Sequence, residues 1–430
     1  MPYIRAFSLA ALLATAAPGR AQIPIDGAKP PREVTLAQAI RSADVSHPLV
    51  LAAQARVAAA RGSRASARVW TNPMLTHQVE NAPFPGTNAI GLEREAMTFA
   101  MVPLEPLYQR WPRVHGANAE LKVAEATLAA VRLEVQLDVA RAFYRVAMAQ
   151  VSVSSAEDAR QWLDSLVAYT RSRVSEGVAA ESDLLRLEVE LGRALIAETI
   201  ARAELARATG ELRSHIAPST SPDSVDIDFA DSTFVVVLEP LSTIVAIARA
   251  RRPELAAARA RVAAAGSGRS VEQTRILREL TAMVGTKNMA GERSLMAGIS
   301  APLPLFDQNR GEIQRASAEQ RAVRHELEWA DRRLLAEVSG AYEAARRLTE
   351  QVAPLERSFI RRAEEARRIA LGAYREGATS ILQVLDAARA LGDARLTYYE
   401  LLFAQHQSVL ELRAAVGVDI LEERLSGDQR

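Results

Sequence analysis

From Arg113 to Ala217 this chain contains no proline, and Val114, Leu121, Leu128, Val135, Ala142 and Ala149 recur there every seven residues. A proline-free run with strict sevens describes helix packed on helix along a coiled-coil seam. A second run, Gly311 to Val416, repeats the pattern with one interruption at Pro354. Gly177 and Gly377 sit where each run can reverse, since a helix end often needs a residue in the left-handed conformation. Each run is therefore expected to fold as a hairpin with arms of about 60 residues, roughly 90 Å at 1.5 Å per residue. Arms of that length suit a protein that crosses a wide space.

The chain is two copies of one pattern. HPLVLAAQARVAAARGSR (47–64) aligns with RPELAAARARVAAAGSGR (252–269), and VPLEPLYQRWPRVHGANAE (102–120) with APLPLFDQNRGEIQRASAE (301–319). Glu176-Gly177 falls on Glu376-Gly377, and Glu211-Leu212-Arg213 on Glu411-Leu412-Arg413. Ordered matches at a nearly constant offset indicate duplication. Each half is expected to open with one helix (35–68, 240–272), followed by a strand-like stretch (71–104, 278–304) and the long hairpin. Met97, Phe99 and Met101 alternate in the first stretch, and Leu295, Ala297, Ile299 and Ala301 in the second. Pro83, Pro85 and Gly86, and Gly285 and Gly291, punctuate them, which predicts two strands and a loop per half. The expected organisation is a leader at 1–21, a first repeat at 22–217, a linker at 218–239, a second repeat at 240–417 and a tail at 418–430. The Val235-Val236-Val237 run in the linker is a candidate short strand.

The leader is read from Arg5, an apolar run from Ala6 to Ala17, and small residues up to an expected cleavage after Ala21. Beyond it no apolar run of about 18 residues occurs, so no spanning helix is expected. There are no cysteines, hence no disulfide framework, thiolate metal site or lipidated cysteine. With 53 Lys+Arg against 52 Asp+Glu, a nucleic-acid partner is not expected. Phosphate-cradling loops and nucleophile contexts are missing, so no enzyme and no cofactor is expected. The histidines at 47, 77, 115, 215, 325 and 406 are scattered, with no pair at i, i+4, so no metal site is expected.

Four strands per chain are too few for a barrel that keeps lipid outside and water inside; about eight is the small end. An open edge in hydrocarbon leaves backbone groups unpaired at several kcal/mol each. If the strands lie in a membrane, several chains must share a barrel, and three would supply twelve strands. A small soluble sheet capping a helical rod is the competing reading.

The duplicated plan, the segment PLPLFDQNRGEIQRASAE (302–319) and the segment AYREGATSILQVLDAARALGDARLTYYELL (373–402) resemble the outer-membrane efflux protein family, the TolC-like channels. PLPLFDQNRGEI most resembles the branch serving heavy-metal RND pumps. The resemblance implies a mainly α fold with a small β part: long helical hairpins forming a periplasmic α-barrel, and four strands per chain contributing to a trimeric 12-stranded outer-membrane β-barrel. It implies a passive exit duct, with heavy-metal cations as cargo, working as a homotrimer with outer-membrane lipid, a periplasmic adaptor (membrane fusion protein) and an inner-membrane RND pump. A channel for drug or type I protein export, and a non-pore periplasmic coiled-coil scaffold, are the alternatives.

The resemblance also points to residues. Asp386 matches an acidic position at the tunnel mouth, where threefold symmetry makes a carboxylate ring that attracts cations. The neighbouring position, often acidic in the family, is Gln383 here, and Ser380 to Gln383 also fits a capping box. In the first half Asp183 and Arg186 fall on Gln383 and Asp386, so an Arg186–Asp386 contact between hairpin tips would act as a latch. Gly177, Val178, Gly377, Ala378 and Thr379 look like the turns an adaptor grips. A plain helix C-cap would place glycine there too.

Overall fold

A computed structural model describes residues 33–82, 93–217, 224–225, 239–277, 280–289, 291–356 and 358–420. The leader, the Pro83–Gly86 loop, the valine run and most of the tail lie outside the described residues.

The two halves share one order of elements, except that the long arm of the second is split in two. In the first, β1 (Glu33–Val34) precedes α1 (Leu36–Ser46), α2 (Pro48–Arg68), β2 (Met74–Glu80), β3 (Glu95–Pro103), α3 (Pro106–Ser175) and α4 (Glu181–His215). After β4 (Ser224–Val225), the second half runs α5 (Leu241–Arg251), α6 (Pro253–Thr274), β5 (Thr281–Met289), β6 (Glu292–Ser300), α7 (Arg310–Glu356), α8 (Phe359–Arg375) and α9 (Ile381–Val416). β1 and β4 pair in parallel.

Two expectations are corrected here. The opening helix of each half is two helices, broken at His47-Pro48 and Arg252-Pro253. Pro48 and Pro253 start new helices, while His47 and Arg252 before them are extended, at ψ 128° and 120°. Proline disfavours α geometry in the residue before it and suits the first helical position. The arms are also unequal. α3 has 70 residues and α4 only 35. The long helix packs against three shorter ones, α4 along one part and α2 and α6 along another. The second half divides its own long arm into α7 and α8, and the break follows Pro354 by a few residues.

Three buried clusters hold the helices. One joins α1, α3, α4 and α9 through Ile40, Val139, Phe143, Leu212 and Phe403. A second joins α5, α7 and α9 through Ile244, Leu334, Val338 and Leu412. The third joins the two hairpins near their turns through Leu166, Leu187, Ile381 and Val384.

The main sheet has the order β2-β3-β5-β6, all antiparallel. Directly paired residues share a face, and alternate residues change face. The register therefore sorts the side chains. One face carries Leu75, Val79, Ala96, Ala100, Val102, Ala282, Val284, Leu295, Ala297 and Ile299, and its one Asp, Glu, Lys or Arg is the strand-end Arg293. The other face carries Glu80, Glu95, Lys287 and Glu292, together with methionines and Phe99. The two alternating runs noticed in sequence, Met97-Phe99-Met101 and Leu295-Ala297-Ile299, thus lie on opposite faces.

The sheet meets the helices at two equivalent junctions. Arg110 Nε donates to the Arg68 carbonyl at 3.1 Å, and Arg113 donates to Ala67 and Val69 at 3.3 and 3.2 Å. These guanidiniums satisfy the terminal carbonyls of α2. In the second half Asn309, at φ 57°, donates to the Glu272 carbonyl at 2.8 Å and to its Oε2 at 3.0 Å. Arg110 and Asn309 are aligned positions of the repeat, and each fastens the end of one helix to the start of the next.

Candidate functional site: the hairpin tips

The first hairpin turns at Glu176–Ala180. Val178 N–H donates to Arg173 C=O at 2.8 Å, and Gly177 N–H to Val174 C=O at 3.0 Å. The second repeats this, with Ala378 N–H to Ala373 C=O at 2.8 Å and Gly377 N–H to Tyr374 C=O at 3.1 Å. Both turns are Schellman motifs with glycine in the left-handed region, φ 75° at Gly177 and 77° at Gly377. An L side chain there costs about 1–2 kcal/mol, and neither glycine has a neighbour that a Cβ would touch. Gly177→Ala and Gly377→Ala are therefore each expected to lose about 1–2 kcal/mol through conformation alone. Equilibrium unfolding of the single variants checks this, and Asn at either position should cost less than Ala. Gly177, Val178, Gly377 and Ala378 are exposed, and Thr379 is half-buried.

The two tips are fastened to one another. Tyr169 on α3 has the Arg173 guanidinium 5.8 Å and the Arg375 guanidinium 5.9 Å from its ring centre. Arg375 comes from the other hairpin, so this ring is a shared cation–π contact.

Ser380 is the N-cap of α9, but its side chain makes no capping bond. The expected capping box is thus corrected: the Thr379 hydroxyl hydrogen-bonds Gln383 Oε1 instead. Asp183 stands in the first turn of α4, where a carboxylate is favoured by the helix dipole. Arg186 and Asp386 are both exposed, and among the described residues no ion pair joins them within one chain. The link between α4 and α9 lies one turn further on. Arg389 Nη2 reaches Glu190 Oε1 at 2.6 Å, and Arg193 Nη1 reaches the same oxygen at 2.8 Å. The Glu190 hydrogen bond raises the Arg389 pKa, and the nearby charges of Glu190 and Asp386 add to it.

A comparable tie joins α4 to α3. Glu198, only 4% exposed, takes Arg160 and Arg202, each at 2.6 Å. Beside these pairs a groove of about 430 Å³ runs between the hairpins, lined by Trp162, Leu163, Glu190, Arg367, Leu385 and Arg389. Glu190, Glu198 and Arg389 were not singled out from sequence. For the two glutamates the signal was a carboxylate in the stripe of Leu187, Leu191 and Ala194, where an apolar residue is the rule.

Duplicated long hairpins with an open four-stranded sheet at one end define a TolC-like channel subunit. The model of the outer membrane efflux protein family matches residues 39–217 and 244–418, and the chain belongs to that family. It is 25% identical over 418 residues to the cobalt-zinc-cadmium resistance protein CzcC of Cupriavidus metallidurans, covering 93% of this chain and 94% of that one. Its fold is similar to crystal structures of CusC, a transmembrane channel former, with TM-score 0.74 and 18% identity over 89% of this chain and 92% of that chain. The outer-membrane channel OprN gives TM-score 0.74 and 20% identity, covering 90% of each.

Proposed function

We propose that three copies of this chain close a 12-stranded barrel in the outer membrane and form the passive exit duct of a metal-efflux assembly. Cargo then arrives from an RND pump through a periplasmic adaptor at the hairpin tips. The observation that carries the reading is the sheet itself: among the described residues β2 and β6 are edges with no partner, and its aliphatic face is left uncovered, with Leu295 78% and Ile299 74% exposed. Lipid tolerates the face but not the edges, so β2 of one copy pairs with β6 of the next. β3, β5 and β6 have nine residues each, enough for a tilted strand to cross the hydrocarbon. Trp70, Trp111, Leu107, Leu303 and Phe306, all exposed near the helical end of the strands, suit a membrane–water boundary.

α4 also carries exposed Leu185, Val189, Ile196 and Ile200, an unpartnered stripe that a neighbouring copy covers. The likeness to CzcC across nearly the whole chain supports heavy-metal cations as cargo, and the absence of any catalytic step follows from the duct reading. The organisation proposed from sequence, with a cleaved leader and repeats at 22–217 and 240–417, belongs to the same reading.

Outer-membrane fractions should hold a heat-modifiable trimer, and the wild-type gene should restore cobalt, zinc or cadmium tolerance to a strain lacking it. Soluble monomer in periplasmic extracts sinks the barrel. Trimer without restored tolerance to any metal sinks the cargo.

Asp386 is proposed as the cation-attracting residue of the tip. It is exposed, two turns from Gly377, and its charge reaches Arg389. In a trimer three copies stand around the axis, and their summed field favours cations at a narrow mouth. Asp386→Asn is expected to lower the cation preference of single channels in planar bilayers while trimer yield stays the same. Unchanged ion preference makes Asp386 a solvated surface acid.

A further inference from the structure

Six of the eight methionines of the chain lie in the main sheet: Met74, Met97, Met101, Met283, Met289 and Met296. The register puts all six on one face, the face that also carries Glu80, Glu95, Lys287 and Glu292. This face carries four charged residues where the aliphatic face carries only Arg293. A Lys or Arg turned to lipid costs up to about 2–4 kcal/mol, and an Asp or Glu less, so the more charged face looks into water. The Lys287–Glu95 ion pair at 2.5 Å bridges β5 and β3 on the same side. In the duct proposed above, this is the lumen.

The methionines are not ordinary filler. The lumenal face has no Leu, Ile, Val or Ala within the four strands, and the lipid face has no Met. Branched aliphatic residues are the better strand formers. A need for apolar surface alone would have placed them on both faces. What methionine adds is a thioether sulfur, a soft ligand suited to ions such as Cu(I) over oxygen-preferring cations. Being uncharged, it is not among the thiolate, imidazole and carboxylate ligands that hold zinc.

Three of the six stand in one row. Met74 pairs with Met101, Met101 with Met283, and Met283 with Gly298. Adjacent strands lie about 4.8 Å apart, a separation at which two flexible thioethers can share one small cation. Gly298 completes the row without a side chain. A Cβ there would come within 3.0 Å of Met283 Cε, so its absence lets the Met283 side chain lie along the wall. The row is at the helical end of the strands, where α2 leads into β2 and β3 leads into α3.

We propose that Met74, Met101 and Met283 form a thioether collar at the entrance from the helical tunnel into the barrel, a transient site for soft monovalent cations of the Cu(I) and Ag(I) class. The inference rests on the barrel reading and adds soft monovalent cations to the heavy-metal ions that the duct passes. Sulfur lone pairs replace water on the cation, and no electron or proton moves. The sites are open to the lumen and two-sided, so an ion that enters also leaves.

The test uses the full chain purified in detergent, with methionine ε-methyl groups carrying 13C and Ag(I) nitrate as a redox-stable probe. Ag(I) is expected to shift the Met74, Met101 and Met283 methyl signals together and saturably. Met148, within α3, stays in place, and Zn(II) moves none of them. Met101→Leu with Met283→Leu, a near volume-conserving change, should keep the trimer and abolish the response at Met74. Ag(I) leaving the three signals in place, or shifting Met148 equally, overturns the collar. Cobalt, zinc or cadmium tolerance in cells reports separately on the duct. A silent methyl spectrum beside restored tolerance removes the collar and leaves the duct, and shifted methyl signals beside no tolerance to any metal do the reverse.

Discussion

Leu295→Arg should abolish trimer in the outer membrane, whereas Met296→Arg, one residue along the same strand, should leave trimer largely intact. The two positions differ only in face. Leu295 pairs with Thr286 on the aliphatic face, and Met296 pairs with Gly285 on the methionine face. Arginine turned toward lipid near the middle of a strand costs about 2–4 kcal/mol, while lumenal substitutions act mainly on selectivity. Three symmetric copies multiply the first cost to about 6–12 kcal/mol per trimer, comparable with the whole stability of an ordinary domain. Heat-modified gel mobility of outer-membrane fractions reads the outcome. Equal loss of trimer in both variants would mean that the sheet is packed on both sides, and the small soluble sheet would become the better account. Ile299→Arg should fall between them, because its place near the strand end lets the guanidinium reach the interface.

The paired experiment also marks where sequence reasoning runs out. Alternation in 71–104 and 278–304 was enough to locate four strands, because period two is a local property. Which run faces which side is not local. It depends on the β3–β5 pairing between residues about 190 positions apart, as in Phe99 opposite Gly285. That pairing also explains Gly285: a Cβ there would stand 2.3 Å from the Thr98 carbonyl oxygen.

The turns at Gly177 and Gly377 were legible because a left-handed residue at a helix end calls for glycine. Pro48 and Pro253 were equally visible signals, and the continuous apolar pattern around them concealed that each starts a new helix. The unequal arms were not legible. The heptad of α3 continues smoothly from Val114 to Ala149, and nothing in it says that one partner ends and another begins. At the tip, the aligned pair Arg186 and Asp386 suggested a latch, but the in-chain link is Arg389 to Glu190. Charge pairing across two helices depends on their relative rotation, and aligning the two halves does not supply it.

Asn309→Ala should be the most damaging polar substitution among the described residues of the second half, at roughly 3 kcal/mol or more. Asn309 is 4% exposed, and its amide holds both the last carbonyl region of α6 and the Glu272 carboxylate. Its backbone N–H is taken by Asp307 Oδ1 at 2.9 Å. Alanine loses both side-chain bonds, leaves a buried carboxylate to Arg275 at 2.7 Å and the more distant charge of Arg315, and sits poorly at φ 57°. Asn309→Gly keeps the backbone conformation, so the difference between the two variants isolates the left-handed cost of about 1–2 kcal/mol.

The pH dependence separates the carboxylate contact from the rest. Burial pushes the Glu272 pKa up, but the Asn309 hydrogen bond and the charge and hydrogen bond of Arg275 outweigh it and leave it below the ordinary 4.5. A carboxylate with a lowered folded value contributes stability that is complete above its unfolded value and is lost as pH falls through the folded one. The gap between wild type and Asn309→Ala should therefore be widest near pH 7 and narrow below about pH 4 as Glu272 takes up its proton. Thermal unfolding of the detergent-solubilised proteins at both pH values measures it. A gap of equal size at the two would assign the whole effect to backbone conformation and the Glu272 carbonyl, with no share for the carboxylate. Arg110→Ala at the aligned junction offers the control. Its guanidinium is exposed and binds a carbonyl without a buried acid, so its smaller cost should not change over the same pH range.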